Sequence, residues 1–371
     1  MRVAEFFAGI GLVRRALEAN GLSVVWANDI DRDKLSLYQA NFDATDFHLA
    51  DIRDVSGCDI PDVALATASF PCTDLSLAGR RLGLRGAQSG LFWEFARVIR
   101  HMRGRRPAAI MLENVPSLAT SRGGRDLYSV LRRLNRLGYW CDLLVVDARH
   151  FVPQSRPRLF IIGSRVPLAQ AGCWRPSALR PAWIERFVER HPDLRMQALP
   201  LALPVATQQT LSAVVEQLAD DDPRWWDAQR SARFVSELSA LQHARLMRLQ
   251  QSADAAWATA YRRTRNGKPA WEIRPDAISG CLRTARGGSS KQAVLQAGRG
   301  VSQFRIRWMT AVEYARLQGA DGYAIDGVSE NTAVFGFGDA VCVPVVSWLA
   351  RAYLVPLLSG HLETRVACRY P

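Results

Sequence analysis

The sequence predicts an α/β protein whose mostly parallel sheet is covered on both faces by helices, followed by a second domain of different make-up. Three observations carry this. Over the first 165 residues, short apolar runs alternate with segments of helical periodicity. The first strand-to-helix junction carries two close glycines, in Phe7-Ala8-Gly9-Ile10-Gly11. After Arg165 the alternation stops: Pro recurs at 167, 176, 181, 192, 200, 204 and 223, and six of the eleven Trp (174, 183, 225, 226, 257, 271) fall between residues 165 and 301. At 371 residues the chain exceeds what a single hydrophobic core usually spans.

Taken in order, Arg2–Phe7 reads as a strand and Ile10–Ala19 as a helix with one apolar face. Ser23–Ala27 is a second strand, and Asp31–Asn41 a helix with Asp at its start, where a carboxylate caps free amides. Val63–Ala68, Ile110–Leu112, Leu143–Val146 and Leu159–Ile162 are apolar runs bounded by Asp, Pro or Gly, as buried strands are. Leu91–Met102 and Asp126–Leu137 are the helices between them. In the second domain Trp183–Glu189 and Trp225–Gln251 read as helices, and the Gly-rich, basic segment Gly280–Gly300 as loop or hairpin. A helix over Thr310–Gln318 and an apolar segment over Ala340–Leu358 return to the style of the first half, the last expected to pack on the first sheet.

Composition narrows the function classes. With 48% hydrophobic and 22% charged residues the chain is globular, not disordered. The apolar stretches carry charges, and Arg2 and Glu5 interrupt any leader, so neither membrane insertion nor secretion is expected. Seven scattered Cys (58, 72, 141, 173, 281, 342, 368) with no C-x-x-C suggest a reducing cytosol and neither a disulfide framework nor a metal site. The net charge is +13, and 45 of the 48 basic residues are Arg, Lys standing only at 34, 268 and 291. A GC-rich genome would also inflate Arg, but the distribution is uneven: Arg262–Arg305 holds ten basic residues against Glu272 and Asp276, a local +8 that suits a polyanion.

Asp29 lies about 20 residues past the glycines, where a carboxylate can take both hydroxyls of a ribose; with two glycines only, a nucleoside without pyrophosphate fits better than a dinucleotide. A plain turn with a capping Asp remains the alternative. Phe70-Pro71-Cys72-Thr73-Asp74-Leu75-Ser76 follows the strand Val63–Ala68 and puts a thiol at the carboxyl edge of the sheet, where open α/β folds bind ligands. Glu113-Asn114-Val115 ends another strand at the same edge.

These segments, with Gln154-Ser155-Arg156-Pro157-Arg158 and the run Arg307, Thr310, Glu313, Arg316-Leu317-Gln318, stand in the order of the motifs of DNA (cytosine-5) methyltransferases. The chain resembles that family over about residues 1–165 and 280–345. The resemblance implies a Rossmann-like S-adenosylmethionine-dependent methyltransferase domain over 1–165 and 330–371, with a smaller irregular target recognition domain over 166–329. It implies Cys72 as the nucleophile that adds to cytosine carbon 6, Glu113 as the carboxyl on ring nitrogen 3, Arg158 on the cytosine carbonyl, and Arg156 near the thiol and phosphate. S-adenosylmethionine would be held by Phe7, Gly9, Ile10, Gly11, Asp29, Ile30, Asp51, Ile52, Pro71, Leu91, Asp339, Ala340 and Val341. Duplex DNA would meet Ser76, Arg80, Arg81 and Arg85 on a lid, and Arg283, Arg286, Ser289 and Lys291 beyond it. Thr73 stands where the family usually has Gln, Leu12 replaces a common third glycine, and Asp339 replaces a usual Asn. The implied setting is a monomer in bacterial or phage-bearing cytosol, on nucleoid DNA, with a cognate restriction endonuclease as a partner. An RNA cytosine methyltransferase on the same core and a silent DNA-binding relative are the alternatives.

Overall fold

The computed structural model describes residues 1–72, 74, 83–86, 88–169, 172, 174–265, 267–283, 291–301 and 303–362. The chain divides into two compact units, Met1–Asp147 with Pro157–Pro204 and Val343–Pro371, and Ala148–Arg156 with Val205–Cys342.

The first unit is built on a seven-stranded sheet. Its strands are β1 (Arg2–Phe6), β2 (Ser23–Asp29), β3 (Phe47–Leu49), β4 (Leu65–Ala68), β5 (Ala109–Asn114), β6 (Trp140–Asp147) and β7 (Pro157–Ser164), in the order β3-β2-β1-β4-β5-β7-β6. The first five are parallel; β7 runs antiparallel to both neighbours. Strand order reverses between β1 and β4, so a crevice opens at their carboxyl ends. The parallel strands read as continuous apolar runs because both faces are covered; every residue of β4 and β5 is buried. Helices α1 (Leu12–Glu18), α2 (Arg32–Gln39), α3 (Leu91–His101), α4 (Arg125–Arg136) and α5 (Ala182–Glu189) complete the layers. The core joins Phe6, Trp26, Phe92 and Phe95 across the sheet, Phe6 meeting Trp26 at 4.8 Å and Phe95 at 5.0 Å.

The mostly parallel α/β architecture agrees with the sequence reading; several elements do not. Strand β3 is not among the expected strands: its three residues are only partly buried, too few to show a period. The helix expected over Trp225–Gln251 is two, α6 (Ala228–Ser236) and α7 (Ala240–Gln250). Between them Glu237 O accepts the Trp271 amide (3.2 Å), so the chain leaves the helix to pair with a strand, and Ser239 caps the second helix.

The second unit, expected to be irregular, has an antiparallel sheet. Strands β8 (Ala256–Arg265), β9 (Lys268–Ile273), β10 (Gln292–Ala297) and β11 (Phe304–Trp308) stand in the order β11-β10-β8-β9. Strand β10 falls within Gly280–Gly300, expected to be loop or hairpin, pairs antiparallel with β11 and is buried along its whole length. Around this sheet sit α8 (Ala311–Leu317), closed by a Thr310–Glu313 capping box, and α9 (Glu330–Asp339).

The stretch Glu330–Leu358 is long and apolar enough by composition to cross a membrane, although Asp339 and Arg351 interrupt it and no charge-free window of 18 residues occurs in it. More than half of its apolar 18-residue window is buried. Its second part, α10 (Val343–Leu349), packs against α1 within the first unit, with Val345, Val346 and Leu349 inside, which accounts for the apolar composition there.

Candidate active site

Register places the chemistry. Phe6 pairs with Asn28 and Ala68, and Ala68 with Leu112, so Phe7, Asp29, the Phe70–Cys72 turn and Glu113 all leave the sheet at one edge. Strand β7 runs the other way, and its Leu159 pairs with Asn114, which brings Arg158 to that same edge. Arg158 Nε lies 2.9 Å from Glu113 Oε1, with both side chains largely buried. Cys72 is half-buried, outside any disulfide, and packs against the core. Asn114 anchors this arrangement: its Nδ2 donates to Phe70 O (3.0 Å), tying the turn before the thiol to the strand that carries Glu113. Sequence reading assigns Asn114 no task, although its place directly after Glu113 is the available signal.

Two further carboxylates hold backbone amides between Gly83 and the start of α3. Asp74 Oδ2 accepts the amides of Gln88 (3.0 Å) and Ser89 (2.9 Å), just before α3. Asp126 Oδ2 accepts the Leu84 amide at 3.3 Å. Leu91 opens α3 and is half-buried, and Arg85 is exposed in the short turn Gly83–Arg85. Thr73, Ser76, Arg80, Arg81, Arg286 and Ser289 lie outside the described residues.

At the end of β1 the backbone turns sharply: Phe7, Gly9 and Gly11 all have positive φ (56°, 58° and 77°). Gly11 is required twice over, since a Cβ there would lie 2.6 Å from the Phe42 ring. At Gly9 the nearest atom to such a Cβ is Lys34 Cδ at 4.0 Å, so the loop leaves open space on that side. The Asp29 carboxylate takes the Gly9 amide on Oδ2 (2.8 Å) and the Asp31 amide on Oδ1 (3.0 Å), and each oxygen keeps a lone pair. Beside it Ile30 is 65% exposed, an apolar surface in the crevice. A bidentate acceptor next to an apolar face and an open glycine loop fits the adenosine part of S-adenosylmethionine.

Other expected cofactor residues differ in what they offer. Ile10 and Ile52 are buried side chains of the core, so near a ligand they present backbone only. Asp51 is engaged locally, accepting the Arg53 amide (2.9 Å) and pairing with its guanidinium (3.1 Å). Pro71 is half-buried beside Cys72.

Within the second unit, Arg156 is 3% exposed and clamps backbone: it donates to Leu282 O (2.7 Å), Gly338 O (3.1 Å) and Ala340 O (2.6 Å). This burial gives it a scaffolding task, tying three backbone carbonyls of the second unit together. Asp339 ends α9 and is exposed, Ala340 is half-buried and Val341 is buried. The +8 stretch is partly neutralised by the fold. Arg262 pairs with Glu237, Arg263 and Arg265 with Glu272, Arg274 with Asp276, and Arg305 with Asp220. Glu237 and Asp220 lie outside the stretch in sequence, which is why a local count misses them.

Comparison with known proteins gives this geometry a context. The family model for C-5 cytosine-specific DNA methylase matches residues 1–354. The Type II methyltransferase M.HaeII of Haemophilus aegyptius is 35% identical over 163 residues, 44% of this chain and 50% of that protein. M.Bsp6I of Bacillus sp. (strain RFL6) is 35% identical over 169 residues, 44% of this chain and 52% of that protein. The chain thus spans about half the length of the curated relatives it matches. Among solved structures, the S. pombe Dnmt2 methyltransferase covers 96% of this chain and 99% of its own at TM-score 0.62 and 19% identity. The Entamoeba histolytica methyltransferase EhMeth covers 98% and 99% at TM-score 0.63 and 14% identity, so both show a shared fold. With a matched model over nearly its whole length and a thiol, a carboxyl and an arginine gathered at one sheet edge, the chain belongs to the C-5 cytosine-specific DNA methylase family.

Proposed function

We propose that the protein methylates carbon 5 of cytosine in double-stranded DNA at a specific sequence, with S-adenosylmethionine as donor. The observation that carries this is the Glu113–Arg158 pair at 2.9 Å on the sheet edge that also bears Cys72. Cytosine carbon 5 is a poor nucleophile. Addition of the Cys72 thiolate to carbon 6 forms an S–C bond and moves the ring π pair toward carbon 5. Glu113 neutralises the charge this develops by hydrogen bonding or protonating ring nitrogen 3, and Arg158 orients Glu113 while donating to the cytosine carbonyl. S-adenosylmethionine, which Asp29 and the Gly9–Gly11 loop would hold, would supply an electrophilic methyl to carbon 5 and leave as the neutral thioether. Loss of the carbon 5 proton and departure of the Cys72 thiolate restore the ring and the enzyme.

A stacked base would be out of reach of Cys72, so the cytosine is flipped out, at a cost of a few kcal/mol. Ser76, Arg80, Arg81, Arg85, Arg283, Arg286, Ser289 and Lys291 serve the duplex, and the second unit selects the sequence. The protein acts as a monomer in bacterial cytosol alongside a cognate restriction endonuclease. The test is expression in a methylation-free host with bisulfite sequencing of the genome, beside the Cys72→Ser variant. Methylated cytosine at one recurring sequence, absent in the variant, is expected. An unmethylated genome, or methylation that survives Cys72→Ser, would overturn the reading, as would transfer to RNA instead of duplex DNA by the purified chain.

A further inference from the structure

The second unit holds its cations in two different ways. The arginines of β8 and β11 at 262, 263, 265 and 305 share the three carboxylates of Glu237, Glu272 and Asp220, so much of their charge is offset within the protein even where, as at Arg263 over Tyr261 and Arg305 over Trp225, a ring lies beneath them too. Arg230 and Lys291 are held over indole rings instead. The Arg230 guanidinium carbon lies 4.2 Å from the Trp226 ring centre and 5.5 Å from that of Trp308, and Lys291 Nζ lies 5.7 Å from the Trp308 centre. A ring face orients a cation without neutralising it, so these two keep their full charge for a partner.

The platform beneath them is rigid. Trp226 and Trp308 are half-buried and meet at 5.2 Å and 73°, and both pack on the buried Trp271 at 5.6 and 5.7 Å. The neighbouring acids bond backbone amides, Asp227 that of Arg230 at 2.7 Å and Glu330 that of Ala311 at 2.5 Å, and act on Arg230 and Lys291 through space, with no ion pair to either among the described residues. Among the described residues, Lys291 otherwise reaches the Asn331 amide oxygen, at 3.4 Å. Its ammonium is pushed below the ordinary lysine range by burial, with Glu330 opposing that shift and Arg230 adding to it. An anion placed between the two cations would relieve both the burial cost and their repulsion.

We propose that Arg230 and Lys291, seated on Trp226 and Trp308, form a clamp for the phosphodiester backbone of DNA. The proposal rests on the DNA-methylating reading above and adds Arg230, which lies 32 positions before the basic stretch that the sequence singles out. Such a clamp contacts phosphate and no base edge, so it sets affinity and register and leaves sequence choice to other residues.

The test is binding of the full chain to a short fluorescent duplex across a series of salt concentrations. The single variants Arg230→Gln and Lys291→Gln should each flatten the log–log slope by about 0.9, for cognate and unrelated sequences alike. Arg230→Lys should keep the slope, whereas the paired-arginine controls Arg263→Gln and Arg265→Gln should change it much less. Arg230→Met and Lys291→Met keep the indole contact while removing charge, and give the same reading if the Gln variants fold poorly. An unchanged slope in both charge-removal variants, with a steep wild-type slope, would overturn the clamp and spare the functional reading. Loss of binding confined to one sequence would overturn it in favour of base contact. A wild-type protein that ignores duplex DNA would defeat the functional reading itself.

Discussion

Glu5 sits on β1 two residues before the glycine turn, 2% exposed, and its Oε2 has no hydrogen-bond partner among the described residues. Burial pushes its carboxyl from the ordinary 4.5 up to about 8, with Arg14 opposing that shift and Glu18 and Asp29 adding to it. An acid whose folded pKa is raised prefers its neutral form in the fold. Its contribution to stability is therefore complete below pH about 4.5 and is lost as pH rises through about 8, on the order of 1.4 kcal/mol per pKa unit. The expected outcome is that Glu5→Gln loses less melting temperature than wild type between pH 5 and pH 8. Parallel curves across a thermal-melt series over that range would show that Glu5 is already solvated or paired. A Glu between Ala4 and Phe6 is visible in sequence, but its surroundings are not, because Arg14 and Glu18 of α1 and Asp29 of β2 act on it from other elements. Cys72 and Glu113 were legible for the opposite reason: each belongs to a short motif directly after a recognisable strand.

Helix α8 illustrates how one element is fastened. Arg307 and Glu313 are both fully buried and form a fork, Nη1 to Oε2 at 2.8 Å and Nη2 to Oε1 at 2.5 Å. Glu313 Oε2 also accepts the Thr310 amide at 2.9 Å, which closes the capping box. Truncating the acid leaves a buried guanidinium without its carboxylate, so Glu313→Ala should cost about 3–5 kcal/mol in chemical denaturation. Replacing both partners by apolar residues of similar size, Arg307→Met with Glu313→Leu, should cost far less, because no charge is then stranded. A single variant as stable as wild type would mean that water reaches Arg307. The sequence reading begins this helix at Thr310, the residue that caps it. The fork to Arg307 depends on β11 ending beside α8, which spacing does not encode.

At the scale of the whole molecule, the first unit is assembled from three separate stretches of chain, with Val343 onward returning to it. Helix α10 buries Val345, Val346 and Leu349 there, against α1. A chain cut after Pro204 should therefore expose that apolar face and aggregate, although it keeps all seven strands and all the residues around Cys72. Soluble yield and the far-UV melt of the truncated chain check this, and a cooperative melt close to wild type would show that α10 is dispensable. The sequence by itself determined the parallel sheet, the glycine turn and the edge on which Cys72 and Glu113 stand. Strand periodicity and strand ends are local properties, and the motifs sit at those ends. It did not determine the antiparallel sheet of the second unit, the break between α6 and α7, or which arginines are neutralised. Those follow from pairings between residues far apart in the chain, such as Arg305 with Asp220 and Trp271 with Glu237. Only tertiary structure brings such partners together, and so only it separates arginines paired inside the protein from those left with charge to offer a phosphate.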